Sequence, residues 1–235
     1  MNNRPFAVCH ILSTVDGKIS GAFMGASEIA GARKAYGDLR DFYHCDALLY
    51  GTATMAESYG CVKNLPTAKE KYPREDFINH GNHRDFIVSI DTEGVLRFSG
   101  NTLTRSGKEN AHVIEVLTER VSDEYLHYLR GLGISYIFAG KTALDFSHVM
   151  EKLKEKFGIE RVMIAGGGKI DQAFLEAGVL DELSLVIAPM SSGDKNAVAV
   201  FERIDNSAPS PVALRLEEVK PIDGNGVWLR YTTIR

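Results

Sequence analysis

The apolar positions of the chain fall into short unbroken runs separated by stretches with helical spacing. Phe6 to Ser13 (FAVCHILS), Asp46 to Gly51, Asp85 to Ile90, Ala111 to Thr118, Ile134 to Ala139, Val162 to Ala165 and Asp181 to Pro189 read as strands. Their near-continuous apolar content is that of strands covered on both faces. Between them the spacing predicts helices. The first runs from Ser27, read as its N-cap, to about Tyr43, with a stripe of Ile29, Ala32, Tyr36, Leu39 and Phe42 or Tyr43. A second opens at Gly51 to Thr54, where Thr54 and Glu57 stand at capping-box spacing. Ser122 to Arg130 forms a short third. The clearest helix has Asp145 as N-cap, Phe146, Val149, Met150, Leu153 and Phe157 as its stripe, and Gly158 as its stop. A last one, Ile170 to Ala177, is closed by Gly178.

Three stretches interrupt this alternation. Gly60 to Arg84 is polar and carries Pro66, Pro73 and Gly81, the signature of an excursion loop. Asp91 to Lys108 is rich in turn residues, and Met190 to Pro211 reads as a long loop. At the end, Val212 to Pro221 and Val227 to Ile234 flank Asp223-Gly224-Asn225-Gly226, a hairpin signal. Strands alternating with helices predict an α/β fold: a central, mostly parallel sheet flanked by helices, with a C-terminal antiparallel hairpin. No repeat, low-complexity run or linker divides the chain, so residues 1–235 read as one domain.

Composition narrows the class. Charged residues make up 25% and apolar residues 44%, ordinary for a soluble globular protein, and the formal charge of −4 provides no basic field for nucleic acid. Cys9, Cys45 and Cys61 form no CxxC pair, which argues against a disulfide framework. No apolar run is long enough to span a bilayer, and the first residues lack a signal-peptide pattern. The expectation is a cytoplasmic protein with no membrane and no nucleic-acid partner. His80 and His83 are the only close histidine pair, and with no nearby ligand at the right spacing they read as surface residues, so no metal site is expected.

The chemistry centres on RVMIAGGGKIDQAFLEAG, Arg161 to Gly178. An apolar strand, three glycines and a helix start bring backbone N–H groups toward an anion, and the diphosphate of a nucleotide is the natural guest. A tight turn that binds nothing accounts for the same residues. A P-loop fails on spacing, because Lys169 is followed by Ile170 and Met163 stands where the first glycine belongs. The Gly-x-Gly-x-x-Gly fingerprint fails at Asp171. Gly51 to Thr54 is a second glycine turn at a strand end. Arg33 and Arg40, seven apart, project from nearly one helix face; they can grip an anion or simply be solvated.

Several of these pieces occur in a set order: Ser13-Thr14-Val15-Asp16-Gly17-Lys18-Ile19 after the first strand, Leu39-Arg40, then Cys45-Asp46-Ala47-Leu48-Leu49-Tyr50-Gly51 with Thr54, then Ala165-Gly166-Gly167-Gly168, and Gly178-Val179-Leu180-Asp181-Glu182-Leu183 leading to Ile187-Ala188-Pro189. From about Phe6 onward the chain resembles the reductase domain of the bifunctional riboflavin-biosynthesis deaminase/reductase, a relative of dihydrofolate reductase. The resemblance implies a dihydrofolate-reductase-like fold, NADPH as hydride donor, a homodimer, and a ribosylaminopyrimidine phosphate whose ribose is reduced to ribityl. It places the cofactor against Ser13, Gly51, Thr52, Thr54, Gly140 and the turn formed by Ala165, Gly166, Gly167, Gly168, Lys169 and Ile170. The diphosphate would lie at Gly166 to Lys169 and near Gly51 to Thr54. Ser89, Thr118 and Arg120 are candidates for a 2′-phosphate. Asp16 and Lys18 match the turn beside the substrate, and Arg40 and Arg33 match the helix facing its phosphate.

Reduction of a C=N or C=O needs a hydride and a proton source. Asp16, the carboxylate at the end of the first strand, is the candidate for proton relay or substrate orientation; a turn aspartate capping its own loop is the structural alternative. The family usually carries a glutamate before the three glycines, where this chain has Ala165, and a Trp before the substrate helix, whereas Trp228 lies in the last strand. These departures keep open a same-fold reductase of another small carbonyl, imine or pterin. A non-catalytic nucleotide-binding protein is the third possibility. There is no His-x-Glu with a downstream Pro-Cys-x-x-Cys, so no deaminase zinc site of that type is present in the sequence. The apolar residues Leu183 to Ile187 are the sequence-level candidate for a dimer contact.

Overall fold

A computed structural model describes residues 3–61, 64–68, 70–203 and 211–234. Parts of the 60–84 excursion and of the 190–211 loop lie outside these residues. In chain order the elements are β1 (Phe6–Ser13), α1 (Ala30–Tyr43), β2 (Ala47–Gly51), α2 (Thr52–Tyr59), β3 (Phe86–Ile90), β4 (Thr102–Arg105), β5 (Lys108–Leu117), α3 (Asp123–Leu132), β6 (Ser135–Phe138), α4 (Phe146–Phe157), β7 (Arg161–Ile164), α5 (Gly168–Glu176), β8 (Glu182–Ile187), β9 (Leu214–Ile222) and β10 (Gly226–Thr233). They group into two compact units, one of Met1–Pro5 with Asp46–Glu160 and the other of Phe6–Cys45 with Arg161–Arg235.

In the unit containing β1, β7 and β8 pair with β1 in parallel, one on each side. β10 joins β8 antiparallel, and β9 joins β10 antiparallel at the edge. β1 is buried along nearly its whole length, as its unbroken apolar run requires. α1 packs on β1, β8, β9 and β10. Gly31 is needed in its first turn because the Asp223–Gly224 corner of the β9–β10 hairpin sits against it; a Cβ there would lie 2.2 Å from the Asp223 carbonyl oxygen. Leu183 and Val186 are buried and β8 is hydrogen-bonded on both sides, so this strand is not the free apolar edge expected for a dimer contact. Exposed apolar side chains lie instead on β9, at Leu216 and Val219.

In the other unit, β2, β3 and β5 run parallel, and β6 extends them parallel to β5. β4 shares the same edge of β5 but is antiparallel to it. β4 was not expected. Its four residues show no apolar run, and the only signal was Ser106-Gly107, both with positive φ, forming a two-residue hairpin turn. The excursion docks along β6: Phe77 bridges to Tyr136, Asn79 donates its N–H to Ser135 Oγ, and Arg74 pairs with Asp123 at 2.6 Å. His83 is not a plain surface residue, because its ring stacks on buried His112 at 3.9 Å.

The caps separate the helices into two kinds. α3 and α4 are capped as expected, by Ser122 Oγ on Tyr125 N–H and by Asp145 on the N–H groups of Ser147 and His148. Two cap expectations fail. Ser27 starts a 3₁₀ turn that leads into α1, and its hydroxyl donates to Glu28 rather than accepting from the helix. α2 begins at Thr52, so Thr54 is already inside its first turn and caps nothing. α2 and α5, which follow the two glycine turns, start with no capping side chain.

Candidate active site

The β1 unit assembles a loop cluster from three distant segments. After β1 the chain turns at Val15–Gly17, with Gly17 at φ 73. Residues 194–203 run as a strap against this turn. Ile19 N–H donates to Val198 O at 2.8 Å, Val200 N–H to Gly17 O at 3.1 Å, and Lys18 Nζ to Ala197 O at 2.9 Å. The strap continues onto the glycine turn. Glu202 N–H donates to Gly168 O at 2.9 Å, Glu202 Oε1 accepts from Ala199 N–H at 2.9 Å, and Arg203 pairs with Glu176 of α5 at 2.9 Å.

This contact explains why position 168 is glycine: a Cβ there would lie 2.2 Å from Ala199 O. Gly166 has open space around it, and Gly166 and Gly167 sit at φ 113 and 103, where side chains are strained. The turn therefore delivers an uncapped helix start whose first N–H groups have no partner within the helix. Lys169 is exposed in that first turn and Ile170 is half-buried, while Ala165 leads into the turn. Backbone N–H groups, a helix N-terminus and a nearby ammonium suit a nucleotide diphosphate, so these residues fit the expected cofactor.

Asp171, which breaks the Gly-x-Gly-x-x-Gly spacing, has a structural place of its own. It is fully buried in the first turn of α5, where the Cys9 thiol is the donor beside its carboxyl group. Burial raises its pKa well above the usual carboxylate range, which favours the uncharged acid.

Asp16 holds its own loop to a distant one, the structural alternative read for it in the sequence. Its exposed carboxylate accepts from Thr14 Oγ1 at 2.5 Å and from the N–H groups of Ser192 and Gly193 at 2.9 Å each. The Thr14 hydroxyl, followed by those two N–H groups, holds its pKa below the ordinary carboxylate range. A carboxylate kept ionised by three donors is a loop clamp and a poor proton donor. Ser13 is buried and spends its hydroxyl on Thr14 O.

The two arginines of α1 separate. Arg33 donates to Ala26 O at 2.9 Å and ties down the 3₁₀ turns before the helix. Arg40 lies over the Tyr36 ring at 4.5 Å, and among the described residues no acceptor or carboxylate pairs with it. It is the cation of this helix that remains available to an anion.

In the other unit, Gly51 precedes α2 and Thr52 Oγ1 donates to Ile90 O at 2.6 Å, joining the helix start to the end of β3. Thr54 is half-exposed in the first turn. Two of the 2′-phosphate candidates are buried. Ser89 is fully buried facing Glu115 across the ladder, and Thr118 is fully buried with its hydroxyl donating to Thr92 O at 2.7 Å. Arg120 is exposed and pairs with Glu93 at 3.2 Å. Gly140 closes a tight turn in which a Cβ would meet Ala143 O at 1.8 Å, and its own carbonyl accepts from Glu119 N–H. Among the described residues no group of three or more metal-ligating side chains converges, and no helix is long and apolar enough to cross a membrane.

Residues 5–228 match the family described as the RibD C-terminal domain. The chain belongs to that family. This RibD C-terminal domain is 28% identical over 222 residues to the 2,5-diamino-6-ribosylamino-4(3H)-pyrimidinone 5′-phosphate reductase of Methanothermobacter thermautotrophicus, covering 91% of each chain. Its fold is similar to that of a pyrimidine reductase-like protein from Corynebacterium diphtheriae, with a TM-score of 0.71 at 18% identity over 99% of this chain and 93% of that one. The riboflavin biosynthesis reductase Rib7 of Saccharomyces cerevisiae aligns with a TM-score of 0.64 at 19% identity over 100% and 92% of the two chains. The family resemblance and the dihydrofolate-reductase-like fold expected from it are thus borne out.

Proposed function

We propose that this protein is a reductase of riboflavin biosynthesis that uses NADPH to reduce a ribosylaminopyrimidine 5′-phosphate, opening its ribose to a ribityl chain. The observation that carries this reading is the alignment with the Methanothermobacter reductase along 91% of both chains. The cofactor, when bound, supplies the hydride. Gly166 to Lys169 hold its diphosphate with backbone N–H groups and the Lys169 ammonium. Arg40 takes the substrate phosphate. Asp16 and Lys18 keep the loop after β1 fixed to the 190–200 segment, and the proton for the reduced heteroatom comes from water rather than from Asp16, whose carboxylate stays ionised. Two copies associate through the exposed β9 edge, where Leu216 and Val219 are half-exposed apolar side chains.

The test is a fluorescence titration of the purified protein with NADPH and with NADH, beside a Gly167→Asp variant. It is followed by turnover of 2,5-diamino-6-ribosylamino-4(3H)-pyrimidinone 5′-phosphate. Saturable NADPH binding that the variant loses, together with turnover, is the expected result. Folded protein that binds neither nucleotide would overturn the reading.

A further inference from the structure

Arg40 does not stand alone on α1. Its guanidinium lies over the ring of Tyr36, one helical turn earlier, and the same ring is stacked against His10 of β1, with centroids 4.5 Å apart and planes 15° from parallel. His10 is fully buried and also holds the helix backbone: its Nε2 is 2.8 Å from Tyr36 O. A carbonyl can only accept, so Nε2 carries the proton and Nδ1 is the lone-pair nitrogen of the neutral ring. Nδ1 is 2.9 Å from Ser184 Oγ, which therefore donates to it. Ser184 Oγ in turn accepts from Trp228 Nε1–H at 2.9 Å. The line runs from Trp228 on β10 through Ser184 on β8 and His10 on β1 to Tyr36 on α1.

Trp228, Ser184 and His10 are buried, Tyr36 is half-buried, and the line contains no charge until Arg40. Burial holds the His10 pKa at about 4, so the imidazole stays neutral and does not repel the guanidinium beyond Tyr36. A flexible arginine that must bind an anion loses side-chain entropy on doing so; one already laid on a fixed aromatic ring loses less. Tyr36 is itself fixed at two points, its ring by the imidazole and its carbonyl by the Nε2–H bond.

We propose that Tyr36, His10, Ser184 and Trp228 are positioning residues that hold the Arg40 guanidinium ready for the substrate phosphate, an inference that rests on the phosphate role proposed for Arg40. None of the four needs to touch substrate. The recognised chemistry is a phosphate monoester on a ribose, and the contribution of the four residues is to pre-set the cation that receives it.

The experiment is a ³¹P NMR titration with ribose 5-phosphate of the wild-type protein and of Arg40→Ala, Tyr36→Leu, Tyr36→Phe and His10→Gln, with thermal unfolding of each as the fold control. Arg40→Ala should weaken binding about tenfold or more, as loss of a charge-assisted contact does. Tyr36→Leu should weaken it about fivefold through loss of the cation–π contact. Tyr36→Phe, which keeps the ring, should stay within about twofold of wild type, a rescue that a general packing defect would not give. His10→Gln can still bond Tyr36 O and Ser184 but lacks the ring; it should weaken binding about two- to threefold, and it carries the test should Tyr36→Leu fail to fold. If Arg40→Ala weakens binding while Tyr36→Leu and His10→Gln match wild type, the positioning proposal fails and the phosphate role of Arg40 stands. If Arg40→Ala itself binds like wild type, the phosphate role fails and the proposal falls with it.

Discussion

Replacing Gly168 by alanine tests whether the glycine turn depends on the strap that crosses it. An added Cβ would sit 2.2 Å from Ala199 O and 3.1 Å from Glu202 Cγ. The first atom belongs to the backbone and cannot rotate away, so the strap must retreat by about 1 Å to restore an ordinary C···O separation. Overpacking of this kind costs about 1–3 kcal/mol. The same retreat stretches the 2.9 Å bond from Glu202 N–H to Gly168 O, which contributes about 1 kcal/mol. Against this stands the helix-propensity gain of Gly→Ala, at most about 1 kcal/mol and smaller at the first helical position. The net expectation is a loss of about 1–3 kcal/mol and a melting temperature lower by about 3–9 °C for a chain of this size. Gly37→Ala is the matched control, since Gly37 lies inside α1 with no atom within 4 Å of its added Cβ; it should stabilise by up to about 1 kcal/mol. Urea unfolding with unchanged m-values measures both, and NADPH titration of the folded Gly168→Ala protein should show weakened binding as the turn is displaced. A Gly168→Ala protein as stable as Gly37→Ala, with wild-type NADPH affinity, would refute the steric account of the turn.

Three further outcomes follow from other contacts. Gly31→Ala should destabilise by about 1–3 kcal/mol, opposite in sign to Gly37→Ala in the same helix, because its Cβ would strike the Asp223 carbonyl; urea midpoints of the two variants decide it. Asp16→Asn should lower the melting temperature at neutral pH, where the ionised carboxylate serves Thr14, Ser192 and Gly193. Since the folded pKa is depressed, that difference should persist above the unfolded aspartate value and fade as pH falls below about 4. Glu115 is fully buried, with Ser89 opposite it on β3, and burial, then the Asp91 charge, raises its pKa. Native protein thus keeps a proton that the unfolded chain releases, so stability contributed by this site falls as pH rises above the unfolded glutamate value. Glu115→Gln should flatten this dependence, gaining most over wild type at alkaline pH in melting curves taken across the range; an unchanged pH slope would contradict the burial of an acid there.

Much of the architecture could be read from local pattern. β1, β3 and β8 are mostly apolar runs, and such runs belong to strands covered on both faces whatever the rest of the chain does. Asp145 and Gly158 bracket α4 by short-range chemistry, an aspartate accepting from the first N–H groups and a glycine taking the left-handed cap at φ 68. The glycine turn before α5 and the Asp-Gly-Asn-Gly hairpin were legible for the same reason, because a backbone needing positive φ has few residue choices. Ser27 and Thr54 show where local signals mislead: each had the spacing of a cap, but the helix start was set by packing and by a preceding turn, one to three residues away.

The sequence by itself determined the periodicities, the turns and the family, all of which depend on residues close in the chain or on their order along it. Only the tertiary structure decided what the candidate site residues do. Asp16 meets Ser192 and Gly193 across some 176 positions, Gly168 meets Ala199 and Glu202, and Arg40 is laid on a ring held by His10 and, behind it, Ser184 and Trp228. Ser89 is buried by its register in β3, and Thr118, just past β5, is buried with its hydroxyl on Thr92 O. Hydrogen-bond partners, charge states and exposure are set by which distant segments fold together, and a linear chain carries no local mark of them.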